Sequence, residues 1–299
     1  METIQTTAIS QLVAELQEAV AWIESLGVRI GQGRFSTYAR IASEWESFVG
    51  GGSALTVSYL YPRVATLAYE VPAFIKIFQT FRNIPNQHLE QVASMLRKAV
   101  HGALSIDDEH LTKPNPARDY LFEALTAAHV HRPEKGCNAI FDSPSDTGFT
   151  TGRHHVFIEC KRLSSDAGLQ ANVKKAASQL NKAFQRRPRI GNRGLIALDV
   201  SRLIRPRHHL LSLPKNSHIG PTSTAMLTRL VNECFDELQR CLFGFDQRIF
   251  GFMVFCNFVA VAESEQIFVN VGRWSIVPRR GIDAADDALI ANLPLIMAP

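Results

Sequence analysis

Apolar positions in the first third of the chain recur at helical spacing. Between residues 8 and 26, Leu12, Val13, Leu16, Val20 and Ile23 fall three or four apart, the stripe of an amphipathic helix. A second stripe, Phe35, Tyr38, Ile41, Trp45 and Phe48, predicts a helix over 35–49. Gly50, Gly51 and Gly52 end it, because three glycines cost too much backbone entropy inside a helix. Helix resumes from Ser53, punctuated by Pro62, Pro72 and Pro85, and again over 87–101. Residues 105–117 are polar with two prolines, which suits a linker. The pattern then changes. A helix over 118–131 is followed by a strand over 137–142, a polar turn over 143–153 containing Pro144 and Gly148, and an apolar strand from Val156. A helix over 169–186 carries Val173, Ala176, Ala177, Leu180 and Phe184 on one side. A strand over 194–200, a helix over 222–243 and strands over 250–262 and 266–271 complete the order. Helices and strands in this alternation describe a mixed α/β core. The expected organisation is an all-helical N-terminal module, 1–104, and an α/β domain, 105–299.

Composition narrows the class. With 46% hydrophobic and 20% charged residues, the chain is an ordinary globular protein. The net charge of +4 is small, but its distribution is uneven. Residues 151–210 hold 13 of the 32 Lys/Arg and three of the 28 Asp/Glu, a local +10 on a slightly acidic body. Such a segment points to a polyanion, most simply nucleic acid. The five cysteines show no Cys-x-x-Cys spacing, which fits free thiols in a reducing cytosol rather than a disulfide framework or zinc site. The start of the chain lacks the basic and apolar blocks of a signal peptide, and the longest apolar run, 249–262, is interrupted by Asn257 and too short to span a bilayer. A cytoplasmic protein without membrane contact is expected.

The candidate chemistry lies in Val156-Phe157-Ile158-Glu159-Cys160-Lys161. Strand side chains alternate, so Glu159 and Lys161 share a face. Two charges at the end of an apolar strand are costly unless paired or metal-bound. Asp142 ends the expected preceding strand, 17 residues before Glu159, and strand pairing would bring the two carboxylates together around a hard cation. Asn138, Ile140 and Asp142 share a strand face, so register leaves Asn138 as a rival for the site-facing position. Asp146, in the expected turn, is a third candidate. Asp142 is favoured as the only carboxylate in that strand. Paired histidines at 129/131, 154/155 and 208/209 read as surface or phosphate-contacting groups rather than a zinc site, and Arg202–Arg207 as a backbone-contact patch.

Over about residues 117–200, the order helix, Asp strand, Glu-x-Lys strand, helix resembles the PD-(D/E)xK, or restriction-endonuclease-like, superfamily. The resemblance implies a mixed sheet flanked by helices. It implies that Asp142 and Glu159, with the carbonyl of Cys160, bind Mg²⁺ or Mn²⁺, and that Lys161 serves the attacking water. Glu123 matches a glutamate on the family's preceding helix, and Gln179 a glutamine on the following one. Arg162, Lys174, Lys175, Arg186 and Arg187 would meet phosphates. The implied activity is metal-dependent hydrolysis of nucleic acid, DNA by default, in a setting such as prokaryotic restriction or anti-phage defence. The alternative is a catalytically silent relative that binds nucleic acid or scaffolds a complex. The helical module offers a surface for a protein partner or a second copy.

Overall fold

The computed structural model describes residues 9–31, 33–49, 54–104, 116–204, 210–264 and 267–297. The glycine triplet, most of the expected linker, Arg205, Arg207 and the 208/209 histidines lie outside them.

The helical third forms α1 (Ile9–Ser25), α2 (Arg34–Val49), α3 (Ala54–Phe81) and α4 (Asn86–Ala99). α3 runs through Pro62 and Pro72 without a break, because burial of Leu67, Val71, Phe74 and Phe81 outweighs the local cost of proline. Next come α5 (Ala117–Val130), β1 (Cys137–Ala139), β2 (Thr147–Thr151), β3 (His154–Arg162), α6 (Leu169–Arg186) and β4 (Asn192–Asp199). A short α7 (Ser201–Ile204), β5 (Leu210–Leu213), α8 (Ile219–Cys241), β6 (Ile249–Ala262), β7 (Ile267–Pro278) and α9 (Ala284–Met297) follow.

The strands make one mixed sheet in the order β1-β2-β3-β4-β6-β5, with β7 on the other edge of β6. β1, β2 and β3 form an antiparallel meander; β3, β4 and β6 run parallel; β6 and β7 pair antiparallel along most of their length. One face, with Phe157, Ile196, Leu198, Phe252 and Val254, packs under α6 and α8. The other, with Val156, Ile158, Leu195, Ala197 and Met253, packs against α5 and α9.

Two expectations change. The strand expected over 137–142 stops at Ala139, and the expected turn contains β2. Gly148 reads as a turn residue in the sequence, yet it lies inside β2, where an added Cβ would meet the carbonyl oxygen of Val156 at 2.5 Å. Glycine is there because the backbones approach closely, not because the chain turns. The second change concerns the boundary between the two parts. α5 gives Leu121, Ala124, Ala127 and Ala128 to the helical core and Phe122 and Val130 to the sheet core, so the two share an element. Polar contacts reinforce the join: Arg118 of α5 pairs with buried Glu70 of α3, and Asn257 of β6 donates to the Tyr69 carbonyl at 2.7 Å. Among the described residues, no helix is long and apolar enough to cross a membrane.

Candidate active site

The site forms where β2 ends and β3 continues. Thr147 stands opposite Ile158, and one further step sets Asp146 opposite Glu159. Beyond Thr147 the neighbouring backbone is gone, leaving the Cys160 N–H without a strand partner. The Asp146 carboxylate takes that place, accepting the Cys160 N–H at Oδ2 over 2.8 Å. Ser143 and Ser145 hold the approach by donating through their hydroxyls to the Thr147 carbonyl at 3.0 and 2.7 Å.

Lys161 lies over this corner. Its Nζ donates to the Cys160 carbonyl at 2.9 Å and to Glu159 Oε2 at 3.2 Å, and it reaches Asp146 Oδ2 at 3.4 Å. Glu159 is 2% exposed. Burial, then the charge of Asp146, pushes its carboxyl up to about 7. Burial alone would lower the Lys161 pKa, but Asp146 and Glu159 more than offset it and hold the ammonium above its usual value. Glu123 of α5 belongs to the same field. Burial first and Asp146 second push its carboxyl up to about 8, with Asp119 and Glu159 adding to the rise and Lys161 opposing it. Four ionisable groups, Glu123, Asp146, Glu159 and Lys161, therefore sense one another at the C-terminal end of β3.

The sequence expectation for the acidic partner is corrected. Asp142 sits in the turn after β1, exposed, with its carboxylate accepting from Arg187 Nη2 at 2.7 Å. That hydrogen bond holds its pKa below the usual carboxylate value. Asn138 is no substitute, since it pairs with Thr150, which pairs with His155, four residues short of Glu159. Asp146 is the carboxylate brought to Glu159 and Lys161. The sequence signal for it was the alternation Thr147, Phe149, Thr151, which marks a strand starting immediately after Asp146.

The remaining expected residues separate into groups. Gln179 is half-buried on α6, and its side-chain oxygen is shut from solvent without a hydrogen-bond partner. The Phe157 and Phe184 rings lie 6.1 Å apart, and α6 runs back against the direction of β3. Two strand residues advance roughly 7 Å, or four to five helical residues, which sets Gln179 about level with Glu159. Arg162 is held at 3.3 Å by both Asp199 and Asp119. Arg187 is committed to Asp142. Lys174, Lys175 and Arg186 are exposed on α6. Among the described residues, no group of three or more His, Cys, Asp or Glu side chains converges as a metal-ligand set. What the corner offers a cation is two carboxylates and one carbonyl.

Comparison with known proteins leaves the chain alone: no family model, curated protein or solved structure matches it.

Proposed function

We propose that this protein is a divalent-metal-dependent nuclease, restriction-endonuclease-like in kind, that hydrolyses phosphodiester bonds in nucleic acid, with DNA the favoured substrate. The observation that carries the reading is the contact of one ammonium, Lys161 Nζ, with three oxygens: Glu159 Oε2, Asp146 Oδ2 and the Cys160 carbonyl. The ammonium stands where hard oxygen donors converge on positive charge, so Asp146, Glu159 and the Cys160 carbonyl fit Mg²⁺ or Mn²⁺. Two carboxylates suffice for Mg²⁺, which completes its shell with waters and substrate phosphate. When bound, such an ion acidifies a water and neutralises phosphoryl charge.

The chain's own groups supply the rest. Lys161, held as an ammonium by Asp146 and Glu159, stabilises charge gathering on a phosphoryl oxygen and orients the attacking water by donating to it from Nζ. Glu123 is largely a neutral carboxylic acid at pH 7 and can donate a hydrogen bond into the same corner. Asp146 fixes the end of β3 through the Cys160 N–H, so the Glu159 and Lys161 side chains start from a backbone that does not slide. Restriction or anti-phage defence is the setting that the resemblance suggests.

The test is incubation of the full chain with plasmid and with single-stranded DNA in Mg²⁺, Mn²⁺ or EDTA. Metal-dependent product that disappears in Glu159→Ala and Lys161→Ala supports the reading. A second reading, a silent nuclease-like binding or scaffolding protein, draws on the lack of a third converging ligand side chain among the described residues. Binding to DNA without cleavage under all three conditions would select it.

A further inference from the structure

We propose that the outer face of α6 is a track for a nucleic-acid backbone, built from the ridge Gln170, Lys174, Ser178, Lys182 and Arg186, with Lys175 beside it. The proposal rests on the nuclease reading only for the identity of the polymer. These residues follow one another every four positions, and neighbours at i and i+4 share a helix face. All are exposed. α6 contains no Asp or Glu at all. Lys182 and Arg186 therefore stand as a like-charge pair at i, i+4, an arrangement that costs a helix stability. No acidic residue on α6 relieves it.

The contrast with the rest of the basic segment sharpens the assignment. Lys161, Arg162, Arg187 and Arg193 each hold an ion pair with another residue of the chain, Glu159, Asp199, Asp142 and Asp286 respectively. With those four committed, α6 still carries four exposed basic residues, Lys174, Lys175, Lys182 and Arg186. From Lys174 to Arg186 the ridge extends about 18 Å, the rise of about five base pairs. Gln170 and Ser178 add neutral donors of the kind that meet phosphate oxygens. The face lacks the apolar stripe that a membrane-surface helix needs; the exposed hydrophobic residue at its foot, Ile190, is a single side chain. A phosphodiester backbone fits better than a lipid surface.

The experiment is fluorescence anisotropy of the full chain in EDTA, where no hydrolysis occurs, with a short labelled duplex and the matching single strand across a potassium chloride series. Removing both charges, in Lys182→Gln/Arg186→Gln, should reduce the slope of log K against log salt by about 1.8 on duplex and about 1.4 on single strand. Ser178→Glu, which removes nothing from the core, should weaken binding to both. Lys215→Gln, an exposed lysine elsewhere, should leave the slope as it is. An unchanged slope in the double variant, with an unchanged melting temperature, overturns the proposal. So does binding to anionic vesicles or polyglutamate that is as strong as to DNA and equally sensitive to the double substitution. Loss of cleavage with the track intact would count against the nuclease reading alone, and loss of the track with cleavage retained against this inference alone.

Discussion

One oxygen, Asp146 Oδ2, both accepts the backbone N–H of Cys160 at 2.8 Å and faces the Lys161 ammonium at 3.4 Å. Architecture and chemistry are thus joined in a single carboxylate. Asp146→Asn keeps an acceptor for Cys160 and should leave stability close to that of the wild type, yet reduce cleavage by at least about 100-fold. Asp146→Ala strands a buried N–H as well and should cost about 1–3 kcal/mol in urea unfolding. Asp142→Asn should change neither quantity. If Asp142→Asn abolishes cleavage and Asp146→Asn does not, the assignment of the acid is wrong.

The Glu159 carboxyl has a folded pKa of about 7, above its ordinary value, because burial and then Asp146 disfavour its charge. A raised acid binds more protons folded than unfolded, so its contribution to stability falls as pH rises from about 4.5 through 7. Glu159→Gln removes that titration. In EDTA, the stability of the variant relative to wild type should rise by about 1–3 kcal/mol between pH 5 and pH 8. Denaturant melts at the two pH values check it; a constant difference would sink the account of the site's electrostatics.

His129 gives the opposite slope. Its ring stacks on Trp274, with centroids 4.4 Å apart and 10° between planes. Burial first, then the charges of Arg132 and Lys76, lowers its pKa to about 3. Its unfolded value is higher, so the stabilising contribution is complete above about pH 6.5 and disappears as pH falls towards 3. The wild type should lose up to about 1.4 kcal/mol per pH unit through this residue across that window. His129→Phe, which keeps a ring against Trp274, should flatten the acid limb of the stability profile.

Asp199 ties Arg162 to the sheet, and its other oxygen accepts the Ser201 N–H at 2.9 Å. The Ser201 hydroxyl oxygen in turn accepts the Asn257 N–H at 2.8 Å. Asp199→Ala leaves a nearly buried guanidinium and a buried N–H without this partner, and should destabilise by about 2–4 kcal/mol. Guanidinium chloride unfolding measures it, and a loss below about 0.5 kcal/mol would show that the pair is merely a surface contact.

Helical spacing made α6 legible almost to its ends, because Val173, Ala176, Ala177, Leu180 and Phe184 record one buried face directly. Glu159 and Lys161 were legible for a related reason: charge at the end of an apolar strand is an anomaly that local pattern exposes. Asp146 was underweighted because Gly148 has two physical meanings, a turn or a close backbone approach, and only the position of Val156 separates them. The pairing of Arg162 with Asp119 and Asp199 joins residues 43 and 37 positions apart, and no spacing rule anticipates that. Short elements such as β5 carry too few residues for a period to emerge.

Because α5 faces two cores at once, the helical third is no detachable cassette. A chain begun at residue 105 would present Leu121, Ala124, Ala127 and Ala128 to water along the very helix that carries Glu123. Trimming the protein to its sheet would thus solvate the helix behind the Glu159–Lys161 corner, and recombining this sheet with a foreign helical partner would require that partner to reproduce the lost apolar seat.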